Sequence, residues 1–224
     1  MNDFQNVDNL MFDATNSNDV EENCQVIAHT LLVSGKLKEA KEVYTKVNNI
    51  EGIIFASIIM RDLESSESYL NKLSLSPASI WFRFLFELFS VGNKVKTWPK
   101  YFTIRQFMEF TVYCLLLYGN NDYVQLLIKN LNKLSKINSD SEKLVGYAYF
   151  QFGLLDEAIL FLSKALKKDK FDGEIYYKLG QIYFAKNQLK DALGALQNAE
   201  LFLPDHFATK VLTKKINSSL KNKL

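Results

Sequence analysis

The sequence predicts an all-α protein, a solenoid of about five or six helical hairpins closed by a C-terminal capping helix. Three observations carry that prediction. A single pattern of small, aromatic and apolar residues occurs twice between Ser139 and Pro204, its copies 34 residues apart. One period upstream the same pattern requires a turn glycine at position 119, and Gly119 is there. Only 9 Gly and 3 Pro in 224 residues, with 48% hydrophobic content, favour helices over a turn-rich sheet fold.

Each conspicuous position in the two copies has a packing reason. In the first copy Gly146, Tyr149, Gly153, Ala158, Leu162 and Ala165 recur at helical spacing; the second answers with Tyr176, Leu179, Gly180, Tyr183, Ala192, Leu196, Ala199 and Pro204. A mid-helix glycine costs roughly 1 kcal/mol against alanine, so Gly146 and Gly180 are expected only where a neighbouring helix approaches closely. Ala158 and Ala192 are the small partners on the second helix, and Tyr149 and Tyr183 fill the space around the contact. Gly153 permits the left-handed residue that ends the first helix, and Pro204 stops the second. Residue types and spacing together resemble the tetratricopeptide repeat, whose period is likewise about 34 residues. That resemblance implies a right-handed superhelix, with the first helix of each hairpin lining a concave groove where ligands usually lie.

Taken in order, the chain opens on a segment, residues 1–20, rich in Asn, Asp and Ser and without helical periodicity, which reads as an acidic disordered tail. Its apolar Phe4, Leu10, Met11 and Phe12 suit either a short docking motif or an arm lying on the solenoid. The solenoid is expected over 21–206. A first repeat spans 21–48, where Cys24, Ile27, Ala28, Leu31, Gly35, Ala40, Tyr44 and Val47 take the repeat positions and Ala28 faces Ala40. From 49 to 104 the period degenerates. Ile53–Met60 and Ser66–Leu73 form a shortened hairpin, and Pro77–Val91 a helix crowded with Trp81, Phe82, Phe84, Phe86 and Phe89. Gly92 offers a turn, but KVKTWPKYF replaces the second helix, and Trp98-Pro99 marks an irregular crossing. That aromatic helix is either buried from several sides or exposes a second binding patch at Trp81, Phe82 and Phe86. Clear repeats return at 105–138, 139–172 and 173–206. Residues 207–224 read as a capping helix and basic tail, with Phe207, Val211, Leu212, Ile216 and Leu220 on one face and lysines on the other.

Charge and chemistry narrow the function by exclusion. Twenty-seven basic and 25 acidic side chains leave a net charge of +2, which provides no drive toward nucleic acid. The distribution is less even: no Lys or Arg occurs from Met1 to Glu22, where six acids lie, and no Asp or Glu follows Asp205, where five lysines do. Cys24 and Cys114 sit at apolar helix positions and read as buried free thiols of a reducing compartment. No secretory leader is read, and Phe107–Tyr118 is too short to span a bilayer. The expected compartment is therefore the cytoplasm, or the nucleus. Phosphate loops, dinucleotide fingerprints and paired cysteine motifs are missing, and His29 and His206 lie far apart in the chain. The acids Glu39, Asp156 and Glu157 suit the N-termini of second helices, so no enzyme, metal or cofactor is expected.

A protein partner is the expected ligand. The repeat register turns Glu109, Tyr113, Leu116 and Leu117 inward from one hairpin. The next contributes Lys143, Tyr147, Phe150 and Gln151, and the last Glu174, Tyr177, Lys178, Gln181 and Phe184. Of these, Tyr113, Leu116, Lys143, Tyr147, Phe150, Tyr177, Gln181 and Phe184 are the candidate contacts. Family members that clamp the carboxylate tails of chaperone clients do so with Lys, Asn and Arg. Here only Lys143 occupies such a slot, Tyr147 stands in place of the asparagine, and Tyr177 and Gln181 supply no cation. The reading is a non-catalytic scaffold or adaptor, a subunit of a larger assembly, that holds a helix or segment in an aromatic groove. The alternatives are a co-chaperone or targeting receptor for short motifs, and an RNA-processing helical repeat, which the charge balance disfavours. A homodimer through the apolar middle is left open.

Overall fold

The computed structural model describes residues 17–91, 94–138 and 140–221, which form thirteen α-helices and no strand. The acidic segment before Ser17, the turn at Gly92, and Ser139 at the head of the third clear repeat lie outside the described residues. The chain divides into two compact units, one made of residues up to Thr103 with Cys114–Lys129, the other of Ile104–Tyr113 with Asn130 onward.

In the first unit α1 (Ser17–Val33) pairs with α2 (Leu37–Lys46), and α3 (Ile50–Ile59) with α4 (Leu63–Leu70). Ala28 and Ala40 are both fully buried, as a close helix contact requires. The helix α3 is apolar on every side and buried without a break from Ile53 to Ile59, because α2, α4 and α5 (Pro77–Val91) all pack on it. Asn49 and Asp62 cap α3 and α4, accepting hydrogen bonds from the Gly52 and Ser65 amides. Ser76 and Ser79 exchange reciprocal bonds at the start of α5.

The aromatic helix α5 is buried from several sides. Trp81 and Phe84 are 0% exposed and Phe82 6%. Phe82 packs on Phe55, Trp81 on Phe84, and Trp98 closes over Phe84 at 5.6 Å. The second patch envisaged at Trp81 and Phe82 is therefore not a surface, and Phe86 is half-buried. The KVKTWPKYF segment is indeed non-helical from 94 to 100. It is pinned by Glu87, whose carboxylate accepts bonds from the Lys96 and Thr97 amides and the Thr97 hydroxyl. Burial opposes that charge, but the hydrogen bonds win and hold the carboxyl below its ordinary value.

The helix α6 (Tyr101–Leu117) begins earlier than the repeat pattern at Arg105, and its last residues belong to the first unit together with α7 (Asn121–Lys129). The expected single second helix of that repeat is interrupted at Asn130, whose side chain can compete for backbone partners, and helix resumes as α8 (Leu131–Ile137). The second unit continues with two regular hairpins, α9 (Ser141–Phe152) on α10 (Leu155–Lys168) and α11 (Gly173–Ala185) on α12 (Leu189–Phe202). It ends on α13 (Phe207–Lys221).

Five hairpin turns share one closing motif. Gly35, Arg61, Gly119, Gly153 and Asn187 each adopt positive φ, between 58° and 87°. The amide one residue further on bonds back across the turn, as Leu154 does to the Tyr149 carbonyl at 2.9 Å and Gln188 to that of Tyr183 at 2.8 Å. Close approach is equally direct. A Cβ on Gly180 would lie 2.6 Å from Cδ2 of Leu196, and one on Gly146 2.8 Å from that of Leu162. The contacting side chain is thus the leucine one turn beyond Ala158 or Ala192, while those alanines are themselves fully buried.

Candidate protein-interaction groove

The groove belongs to the second unit. The first helices of consecutive hairpins are neighbours there, α9 beside α11 and α11 beside α13, so their outward side chains form one wall. The α6 segment up to Tyr113 contributes at one end. Gln151 donates to Glu109 at 2.6 Å, and Tyr113 meets Phe152 edge-on at 6.3 Å.

The centre of the wall is a cation resting on two rings. Nζ of Lys178 lies 5.2 Å from the centre of Tyr147 and 4.9 Å from that of Phe150. Half-burial lowers the Lys178 pKa, an effect that the charge of Glu109 partly offsets. Glu109 is shifted the other way, raised by burial and partly relieved by Lys178. Tyr147 is pushed far up, by burial first and then by the surrounding carboxylates of Glu174, Asp172, Glu109 and Asp140. Its hydroxyl therefore stays protonated and available as a donor.

Lys143 is not a free cation. Its side chain is 10% exposed and bonds Asp172 at 2.7 Å and Glu174 at 2.6 Å. Burial alone would lower its pKa; the two carboxylates outweigh that and raise it. Asp172 in turn caps α11, accepting from the Glu174 and Ile175 amides. The lysine therefore ties consecutive first helices together and offers little to a ligand. Leu116 also leaves the candidate set, since it is 6% exposed and belongs to the first unit's core.

Tyr177, Gln181 and Phe184 stand at the other end of the wall, half-buried against α13. Tyr177 meets His206 edge-on at 4.6 Å, Gln181 donates to the Tyr177 hydroxyl at 3.0 Å, and Nζ of Lys215 sits 5.3 Å over Phe184. Sequence reasoning treated α13 as a cap and missed that it helps line this end. Its signal was the spacing of Phe207, Val211 and Lys215, four residues apart on one face. Among the described residues no group of three or more His, Cys, Asp or Glu could hold a metal ion, and no helix is long and apolar enough to cross a membrane.

The model of the TPR repeat matches residues 146–187, from the first close-approach glycine to the left-handed Asn187. No curated protein matches the chain. Among solved structures, the crystal structure of the APC/C hetero-tetramer Cut9-Hcn1 is similar over 84% of this chain and 34% of its own, at 14% identity and a TM-score of 0.38. The chain thus spans about a third of that protein's length. The crystal structure of YrrB, a TPR protein with an unusual peptide-binding site, is similar over 90% of this chain and 100% of its own, at 16% identity and a TM-score of 0.38. The matched segment carries the left-handed hairpin turns and the glycine contacts described above, and residues 146–187 are similar to the tetratricopeptide repeat.

Proposed function

We propose that this chain is a non-catalytic scaffold or adaptor, a subunit of a larger protein assembly, which binds a helix or extended segment of a partner along the α9–α11 wall. The observation that carries the reading is the partly exposed pair Tyr147 and Phe150 under Lys178. Folding leaves part of each ring open to solvent beside Lys178, and seating an apolar side chain on one ring contributes roughly 1.5–3 kcal/mol before ordering costs. The transient co-chaperone reading is weaker, because the one cation in a clamp-like slot, Lys143, is already neutralised by Asp172 and Glu174.

The test is a pull-down from native cells, quantified by mass spectrometry, with wild type beside Tyr147→Ser/Phe150→Ser. We expect loss of a defined set of proteins while the helical circular dichroism signal is unchanged. Retention of the whole set by the variant refutes the wall as the binding surface. Recovery of a partner at fixed stoichiometry supports a stable subunit, and many weakly held partners support the motif receptor.

A further inference from the structure

The end of the wall differs from its centre. A cleft of about 430 Å³ opens between α11 and α13, lined chiefly by Tyr177, Gln181, Phe184, Val211, Leu212 and Lys215. That volume falls in the range that holds one or two bulky side chains. Its rim is apolar and in solvent, with Phe207 78% and Val211 47% exposed. Gln181 lines it as well, its amide nitrogen donating to the Tyr177 hydroxyl at 3.0 Å.

The charge on α13 has one sign. Lys215 lines the cleft, and successive helix residues turn by about 100°, which places Lys214 and Lys210 along the outer edge next to Phe207 and Val211. Both lysines are exposed, and no Asp or Glu follows Asp205 to balance them. An apolar slot edged by a row of lysines is complementary to a particular kind of ligand.

We propose that the α11–α13 cleft docks an acidic segment of a partner protein. One bulky apolar side chain of that segment sits between Tyr177, Phe184 and Val211. Flanking carboxylates of the segment pair with Lys215 and Lys214. The proposal rests on the reading of the chain as an interaction scaffold but uses a separate part of the surface, so the two can fail independently.

The test is selection of random displayed peptides on the immobilised full chain, followed by binding of the enriched peptides to three variants. These are Val211→Glu/Lys215→Glu in the cleft, Lys215→Arg as its charge-preserving control, and Tyr147→Ser/Phe150→Ser at the centre of the wall. All altered positions are at least partly exposed, so circular dichroism should be unchanged. The expected result is enrichment of peptides with one Leu, Phe or Trp among several Asp or Glu. They should bind the cleft variant roughly tenfold or more weakly, as expected for a lost apolar contact and a reversed charge, and the other two variants as wild type. Affinity should fall with added salt. Enrichment of neutral or basic peptides, equal binding to the cleft variant, or a loss confined to the Tyr147/Phe150 variant would overturn the assignment. So would binding of phosphatidylserine vesicles that is lost in the cleft variant when no acidic peptide is enriched, since the lysine row would then serve a lipid surface.

Discussion

Replacing Gly180 with alanine sets two effects of known sign against each other. Alanine is favoured over glycine inside a helix by about 1 kcal/mol. The new Cβ, however, would stand 2.6 Å from Cδ2 and 2.7 Å from Cγ of Leu196, well inside contact distance. Leu196 cannot easily swing away. It is 1% exposed and packs in a cluster with Leu189, Ala192 and Ile216. Because the clash reaches the branch carbon, relief requires moving the whole side chain or separating α11 from α12, and overpacking of this sort costs about 1–3 kcal/mol. The steric effect wins, and Gly180→Ala should destabilise by up to about 2 kcal/mol net. Gly194 supplies the control, since it lies within α12 with nothing within 4 Å of an added Cβ. Gly194→Ala should therefore stabilise by up to about 1 kcal/mol. Urea denaturation followed by circular dichroism would show the two midpoints moving in opposite directions, by on the order of 0.5 M each given slopes of about 1–3 kcal/mol per M. Leu196→Ala alone should cost about 2–5 kcal/mol and distinctly less when made in the Gly180→Ala background, where the added methyl occupies vacated space. A Gly180→Ala midpoint that rises with that of Gly194→Ala would refute the close-approach argument.

Removal of the Lys143 amine should be costly, because Asp172 is left 14% exposed without its cation; Lys143→Ala should lose about 3 kcal/mol, the lower end for broken buried pairs, since Glu174 remains solvated. As the folded pKa of Lys143 is raised, its contribution is fully present below the ordinary lysine value and should fade as pH rises through the folded one, which melting at alkaline pH would show. Asp62 behaves oppositely: its bonds from Ser65 and then Lys41 lower its carboxyl to about 2, so its stabilisation is present above the ordinary value of 3.8 and is lost as pH falls through about 2. Asp62→Ala should cost about 1 kcal/mol at neutral pH, the usual value of a helix cap, and nothing at the acid end, as acid titration of wild type and variant would reveal. Asn187→Gly should stabilise by up to about 1 kcal/mol, because a φ of 58° strains any residue with a Cβ; an unchanged melting temperature would contradict this.

Much of the fold was legible because the repeat writes its packing into residue size. Glycine at 119 and 153 marks a backbone that turns left-handed, glycine at 146 and 180 a place where a side chain would collide, and alanine at 158 and 192 a fully buried position. What escaped was geometry that does not depend on side-chain type. Arg61 occupies a left-handed turn where glycine would serve, and stays because its guanidinium bonds Asn120 and Asp122 and covers the Tyr123 ring. The interruption at Asn130 was invisible because the apolar spacing continues through Leu131 and Leu134, both buried. Periodicity also cannot distinguish a helix covered on all sides from one that displays its apolar residues, which is why the sequence left Trp81 and Phe82 open between burial and a surface patch. At the groove, side-chain direction was predictable from register, but the occupants of Lys143 and the contribution of α13 depend on residues about 30 positions away, Asp172 and Glu174 in one case and Phe207 to Lys215 in the other.

The placement of Ile216 in the core of the last hairpin makes array length an editable quantity. Its contacts with Leu189, Ala192 and Leu196 are of the kind that one hairpin makes with the next, so α13 occupies the position where a further first helix would stack. The left-handed residues at 119, 153 and 187 recur every 34 residues. A duplicate of the 173–206 unit inserted ahead of Phe207 would therefore present α13 with the same apolar face it meets now. Protein engineers could lengthen the wall by one hairpin at a time while leaving its terminal seal untouched.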